Sequence, residues 1–328
     1  MKVVDLFAGG GGLSLGFINA GFAIEAAFDN WRPAVELYRK NFSDHPIFEL
    51  DLSHKYAAKE IAKHNPNVII GGPPCQDFSS AGKRDEALGR ATLTINFAQI
   101  IDEIKPGWFV MENVERARKS RSVNEANQIF RKAGYGLTQL VLNASLCGAP
   151  QKRKRFFIIG ELGGQDGALK TRLLENLDDK PMTMRDYFGD KLDFEHYYRH
   201  PRSYKRRGIF SIDEPSPTIR GVNRPVPEGY PGHPGDSAPK TSNIRPLTTE
   251  MRCQIQTFPE QFALNGTKTV LEQIIGNAVP VKLAEYVAAQ LKNYIDEKVG
   301  NKTLEKNKNG RLSSTAATSI ENSGLAVQ

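Results

Sequence analysis

The sequence predicts an α/β fold: a mixed, mostly parallel sheet with helices on both faces, followed by a smaller irregular region. Two observations carry this expectation. Short apolar runs alternate with longer amphipathic ones through the first half of the chain, the pattern of strands connected by crossover helices. From about Gly163 the alternation dissolves, and residues 180 to 245 are rich in Pro, Gly, Arg and Tyr with little periodicity. Such a segment suits contact better than a large core.

The elements follow in order. "KVVDLF" reads as a buried strand and "LSLGFINAG" as a helix ending at Gly21,. "AIEAAFD" is a second strand, and "RPAVELYRKNF" a helix with Pro33 near its start,. "NVIIGG" and "GWFVMENV" are strands with the helix "INFAQIIDEIK" between them, and "GLTQLVLNA" and "RFFIIGEL" are further strands. Periodicity returns with "TTEMRCQIQTF" and then with "PVKLAEYVAAQLKNYIDEKV", a long amphipathic helix with Pro280 near its start. After Gly300 the chain is polar and lacks aromatics, so disorder is expected there,.

Composition narrows the function classes. The chain has 328 residues, 39% of them hydrophobic, enough for one or two domains. No apolar run approaches the roughly 20 residues that span a bilayer, and the first residues enter a strand-like run, so neither a membrane span nor a signal peptide is expected. Three cysteines, Cys75, Cys147 and Cys253, argue against a disulfide framework and for a reducing cytoplasm,. The net charge of +7 is modest, but it is clustered in "RARKSR" (Arg116 to Arg121), "QKRKR" (Gln151 to Arg155) and "RHPRSYKRR" (Arg199 to Arg207). Three such clusters, the last with interleaved tyrosines, point towards nucleic acid. His196 and His200 have the spacing of a metal pair, but no Cys or third ligand is near, so no metal is expected,.

"DLFAGGGGLSLGF" places Gly9 to Gly12 between a strand and a helix, where a ligand can approach the backbone and meet the helix N-terminus,. Asp29 stands about 20 residues on, where a carboxylate accepts both hydroxyls of a ribose. A nicotinamide enzyme is the first rival, though nothing downstream supplies a hydride-transfer site. A nucleoside ligand without a pyrophosphate, such as S-adenosylmethionine, fits as well. Asp51, after "PIFEL", suits an adenine amino group or a helix cap,. Cys75 follows "NVIIGGPP" and Glu112 follows "WFVM", so three sites fall at the C-terminal ends of apparent strands, the ligand-binding edge of an open α/β sheet,. Two prolines restrict the backbone before Cys75 and aim its thiol. Cys147 and Cys253 read as small core residues.

These residues also carry a resemblance. "GGPPCQDFS" resembles the catalytic loop of the DNA cytosine-5 methyltransferases, and "DLFAGGGGLSLGF" their first motif. "ENV" (Glu112 to Val114) is similar to their acidic motif, and Gln151, Arg153 and Arg155 to their Gln-x-Arg-x-Arg motif. "RPLTTEMRCQIQTFPE" (Arg245 to Glu260) resembles their ninth motif and "QIIGNAVP" (Gln273 to Pro280) their last. The motifs stand in family order over most of Met1 to Lys298.

The resemblance implies an S-adenosylmethionine-dependent methyltransferase of Rossmann-like fold, acting on carbon 5 of a cytosine flipped out of duplex DNA. Cys75 would be the nucleophile that adds to carbon 6. Glu112 would contact ring nitrogen 3, which requires a raised pKa. Arg153 and Arg155 would hold the base carbonyl, or the catalytic loop and phosphates. Cofactor contacts are implied for Phe7, Gly9, Gly11, Asp29, Asp51, Pro74 and Asn277, and DNA contacts for Gln76, Ser79 and Arg90. The family's usual Arg-Gly-x-Leu-Phe-Phe is here Arg90-Ala91-Thr92-Leu93-Thr94-Ile95, a departure that bears on closure of the loop rather than on the chemistry. Within "EPSPTIRGVNRPVPEGYPGHPGD" (Glu214 to Asp236), Thr218, Arg220, Asn223 and Arg224 are candidate base or backbone contacts. Arg206 and Arg207 are candidate phosphate contacts. The expected organisation is a catalytic, cofactor-binding domain (1–162), a target-recognition domain (163–267), a return to the first domain (268–298) and a disordered tail (299–328). The expected partners are double-stranded DNA and, functionally, a restriction endonuclease, for a cytoplasmic monomer. The alternative is a transfer-RNA cytosine-5 methyltransferase of the same fold.

Overall fold

Runs of β-branched and aromatic residues decide the centre of the molecule. The computed structural model describes residues 1–74, 84–240 and 244–318, without the side chains of 84–91 and 301–318. In chain order the first region is β1 (Lys2–Leu6), α1 (Gly12–Asn19), β2 (Ala23–Asp29), α2 (Arg32–Asn41), β3 (Ile47–Glu49), α3 (Ala57–Ala62), β4 (Val68–Gly71), α4 (Arg84–Ile104), β5 (Trp108–Val114), α5 (Arg121–Lys132), β6 (Tyr135–Asn143), β7 (Gln151–Lys152) and β8 (Lys154–Leu162). Seven strands form one sheet in the order β3-β2-β1-β4-β5-β8-β6. The ladders from β3 to β5 are parallel, and β8 runs antiparallel to both β5 and β6. The expected mostly parallel sheet is therefore present.

Both sheet faces are apolar because successive strand residues point to opposite sides and each side is covered. Val3, Val68, Ile70, Phe157 and Ile159 pack with Phe17 of α1 on one face. Val4, Ile69, Phe156 and Ile158 pack with Ile61 of α3, Phe97 of α4 and Phe130 of α5 on the other. Helix α5 was not expected from the sequence, where its start reads as a basic cluster. Ser120 caps it, its hydroxyl accepting from Val123 N at 3.2 Å.

The remaining elements are α6 (Lys170–Glu175), α7 (Met184–Phe188), β9 (His196–Tyr198), β10 (Ile209–Ser211), β11 (Ser216–Pro217), β12 (Arg245–Pro246), α8 (Thr249–Ile255), α9 (Lys268–Asn277) and α10 (Val281–Thr318). Beyond the last strand of the sheet, Leu169 and Leu173 still join the first core cluster. The smaller region has three short strands, β10-β9-β12. Its Tyr197, Phe210 and Ile219 share one cluster with Val35 and Leu37 of α2 and Ile274 of α9. It therefore buries its apolar residues against the first region. Strand β11 pairs with β7, Ser216 opposite Gln151. Helix α10 runs on to Thr318. Its first half is docked, with Val287, Ala288 and Leu291 buried. Propagation from a formed helix costs far less than nucleation, and no proline interrupts 301–318,.

Two buried polar groups punctuate this core. Arg252 of α8 meets Glu272 of α9, and both are almost wholly buried. Asp5, at 0% exposure, lies behind the glycine loop and accepts from Ser14 Oγ at 2.6 Å, while Tyr38 Oη donates to Ser14 Oγ at 2.7 Å. Asp5 Oδ1 has no partner. Burial pushes the Asp5 carboxyl up to about 7, with the Ser14 hydrogen bond opposing and Asp29 adding to the rise. Folded Asp5 therefore keeps a proton that the unfolded chain loses at the ordinary carboxylate range. Its contribution is fully present below that range and is lost as pH rises to about 7,. In denaturant titrations the wild type should lose up to about 1.4 kcal/mol per pH unit from this residue across that window. Asp5→Asn should flatten that slope, and an unchanged slope would show that Asp5 is ionised throughout.

Candidate active site

A parallel sheet leaves a crevice where the strand order reverses, outside the carboxyl ends of its strands. Here β1 and β2 lead one way and β4 and β5 the other. A cleft of about 550 Å³ opens there, between the glycine loop, Pro73 and Pro74, Glu112 to Val114, and the end of α9. That volume is ordinary for a small-molecule site.

The glycine loop is closed on three sides. A Cβ on Gly11, which has φ +84°, would lie 2.3 Å from the Phe42 ring, and one on Gly12 would lie 2.2 Å from Val279 O. Among the four loop glycines only Gly9 has open space at its side-chain position, and Gly9, Gly10 and Gly12 line the cleft. Gly11 thus shapes the loop but does not line the cleft. Phe7 lines it with φ +58°, a left-handed conformation uncommon for an aromatic residue,. Asp29 sits at the end of β2, its Oδ2 accepting from Gly9 N and its Oδ1 from Trp31 N, each at 2.8 Å. Burial raises its pKa and those backbone N–H groups partly lower it. Each carboxylate oxygen keeps acceptor capacity for a further donor. Asp51 is outside the cleft lining, and its Oδ1 accepts from Ser53 N at 2.9 Å. That turn contact also holds its pKa below the usual range.

Pro74 and Asn277 also line the cleft. Cys75, Gln76 and Ser79 lie outside the described residues, and Arg90 belongs to α4 with its side chain outside them. The residue before Cys75 is thus on the cleft wall. Asn113 Nδ2 donates to Pro73 O at 3.1 Å and its Oδ1 accepts from Val114 N at 2.8 Å. The middle residue of "ENV" therefore ties the Pro-Pro turn to β5, a role the sequence reading missed. Glu112 is 7% exposed, and its Oε1 lies 2.7 Å from Arg155 Nε. The two form a buried ion pair. Burial raises the Glu112 pKa, and Arg155 and then Arg153 oppose the rise. The net upward shift agrees with the expectation. Trp31, Leu93, Gln273 and Ile274 also line the cleft. None of them carries a chemical signal in the sequence apart from its place in or beside a motif.

Arg153 differs from expectation. It is 1% exposed, and its amino groups donate to the main-chain carbonyls of Ile219, Gly276 and Asn277. Those groups are committed to the fold, while Arg155, which lines the cleft beside it, donates from Nη1 to Lys154 O at 2.8 Å. In the irregular region, three further candidates are committed. Arg207 pairs through both amino groups with Glu214 and lies over the Phe210 ring. Asn223 Nδ2 donates to Leu247 O at 2.8 Å and Glu272 Oε1 at 3.2 Å. Thr218 Oγ1 donates to Lys152 O at 2.7 Å. Burial or partial burial made these hydrogen bonds necessary. Arg220 is half-buried and donates to His200 O. Arg224 and Arg206 are exposed, with no ion-pair partner among the described residues. His196 is in β9 and His200 beyond it, where His200 Nδ1 is 3.2 Å from Tyr198 Oη.

The cleft's lining invites comparison with known proteins. Residues 1–293 match the family model for C-5 cytosine-specific DNA methylases. The type II methyltransferase M.HindV of Haemophilus influenzae is 57% identical over 301 residues, which are 91% of this chain and 99% of that protein. The type II methyltransferase M.HgiDI of Herpetosiphon aurantiacus is also 57% identical, over 90% of this chain and 96% of its own. Among solved structures, the S. pombe Dnmt2 methyltransferase shares the fold, with a TM-score of 0.67 at 19% identity, covering 90% of this chain and 99% of that one. Together with the sheet order and the cleft at its switch point, these matches establish that the chain belongs to the C-5 cytosine-specific DNA methylases and is a DNA (cytosine-5-)-methyltransferase of the type II restriction-modification kind.

Proposed function

We propose that the chain methylates carbon 5 of a cytosine flipped out of duplex DNA, using S-adenosylmethionine and a covalent bond between Cys75 Sγ and carbon 6. The observation that carries this reading is the convergence of Asp29, Pro74, Glu112 and Arg155 on one cleft. The cleft suits the cofactor: the open side-chain position of Gly9 leaves room at the loop, and the half-buried Asp29 carboxylate is poised to accept from ribose hydroxyls. Phe7 and Asn277 complete the walls. S-adenosylmethionine, when bound, supplies an electrophilic methyl group on a sulfonium.

Every other step belongs to this chain and the base. Cys75 thiolate adds to carbon 6, forming the sulfur–carbon bond and pushing the ring electrons towards nitrogen 3 and carbon 5. Glu112, its pKa raised by burial, donates a proton to nitrogen 3. Arg155 holds the Glu112 carboxyl and turns its remaining N–H groups to the base carbonyl,. Carbon 5 accepts the methyl group, a water takes the carbon 5 proton, and Cys75 leaves as thiolate while Glu112 recovers its proton. The lining contains no His for that last proton. The target atom is unreachable in a stacked duplex, so the base leaves the stack at about a few kcal/mol. Type II relatives make protection of host DNA from a restriction nuclease the biological role this reading favours. The transfer-RNA alternative is not favoured.

A tritiated-methyl assay tests the chemistry. Cys75→Ser should abolish transfer while DNA and cofactor binding persist, and DNA containing 5-fluorocytosine should trap the wild type covalently. Normal turnover by the serine variant would remove Cys75 as nucleophile. Calorimetry tests the cofactor site. Asp29→Ala should weaken S-adenosylmethionine by about 1–3 kcal/mol, the usual loss for a charged hydrogen-bond partner, and unchanged affinity would exclude the ribose contact. Bisulfite sequencing tests readout. Arg224→Ala should alter or relax site preference, each good base contact being worth about 1–3 kcal/mol. Arg206→Ala should weaken all sites alike and reduce the salt slope by about 1. Arg207→Ala should lower stability instead, because its guanidinium is spent on Glu214.

A further inference from the structure

One polar cluster of the irregular region has no part in the chemistry above. Tyr198 of β9 is 1% exposed, and its ring meets Tyr230 edge-on with centroids 5.3 Å apart. A buried hydroxyl needs a hydrogen-bond partner. Among the described residues, the partner of Tyr198 Oη is His200 Nδ1, at 3.2 Å. That contact fixes the tautomer of His200. A neutral imidazole has one donor N–H and one acceptor nitrogen. With its hydrogen on Nδ1, the Tyr198 hydroxyl proton would be buried without an acceptor. With the hydrogen on Nε2, Nδ1 accepts from Tyr198 and the hydroxyl is satisfied. An imidazolium would strand the same proton, and burial, then Arg224 and Arg220, hold the His200 pKa below its ordinary value.

The main chain is held as well. Arg220 donates to His200 O, and Arg199 Nη2 donates to Thr218 O at 2.9 Å. The His200 ring is partly exposed and lies beside the exposed Tyr204. Its surroundings select the ligand. Arg220 feels the like charges of Arg202 and Arg224, both exposed, an excess of positive charge that suits a polyanion. Long exposed arginines reach phosphates, whereas a short ring N–H held in one tautomer suits a base edge. In the major groove guanine offers the acceptors N7 and O6, while adenine sets an amino donor beside its N7. That amino group would face the donors of Arg220 and Arg224, so guanine fits this corner better.

We infer that His200 is a specificity-determining residue that donates from Nε2 to N7 of a guanine in the recognised sequence, with Tyr198 as its positioning residue. This deepens the proposed function and rests on the irregular region meeting duplex DNA.

The test replaces each guanine of a short duplex that the wild type methylates, one at a time, with 7-deazaguanine, in which N7 is a C–H. For the wild type, one position should lower kcat/KM by about fivefold or more, the usual effect of one hydrogen bond. His200→Asn keeps an acceptor for Tyr198 but loses Nε2, so it should methylate the natural duplex and that substituted duplex at the same rate. His200→Gln, whose amide sets a donor near the place of Nε2, should keep the penalty. A merely structural role would lower activity on every duplex alike and leave the penalty in place. No penalty at any guanine in the wild type, or a penalty that His200→Asn retains, overturns the inference. Tyr198→Phe removes the hydroxyl that holds the tautomer and should shrink the same penalty. Should His200→Asn fail to fold, an unchanged penalty in Tyr198→Phe overturns the inference instead. Failure of the wild type to methylate any duplex would overturn the proposed function, not this contact.

Discussion

A guanidinium held at 1% exposure has lost hydration worth several kcal/mol,, and the fold around Arg153 is arranged to replace it. Three main-chain carbonyls, from Ile219, Gly276 and Asn277, surround the side chain. They come from the irregular region and from the helix that returns to the sheet, so satisfying one buried charge draws three distant parts of the chain together. Pairing of β7 with β11 adds a ladder to the same seam. Burial pushes the Arg153 pKa well down, with Arg155 adding to the fall and Glu112 opposing it.

The cleft beside it works through opposed electrostatics. Glu112 has its pKa raised by burial and lowered by Arg155 and Arg153. Arg155 has its own lowered by burial and raised by Glu112. Burial thus lifts the carboxyl above the range in which a simple surface ion pair would hold it,. The glycine loop contributes shape instead of charge. Its glycines let Phe42 and Val279 press against it, and Asp29 ties its first residue down.

The second buried pair, Arg252 with Glu272, serves the recognition segment. Arg252 donates to Arg220 O, and Glu272 accepts from Asn223 and Thr249. Polar groups in this region divide by burial. Those that are covered must be satisfied within the protein, as Arg207 and Asn223 are, and only the exposed ones remain for a partner.

The alternation of apolar runs was enough to place β1, β2, β4 and β5, because a buried parallel sheet needs both faces apolar, whereas the short β3 was not read as a strand. Local chemistry also identified the glycine loop, Asp29, Pro74 and Glu112 as neighbours at one sheet edge, since strand ends in such a fold share that edge. The sequence missed α5 and α9, whose capping residues Ser120 and Thr267 were ordinary polar residues until the backbone around them was known. It also assigned Arg153, Arg207, Asn223 and Thr218 to ligands. A donor's type is written in the sequence, but its partner is set by which distant carbonyl or carboxylate folding brings within about 3 Å. Motif order and residue chemistry by themselves determined the sheet, the site and the reaction class. Only the tertiary structure decided which cations are spent on the fold and which face outward, because burial is a property of the assembled chain.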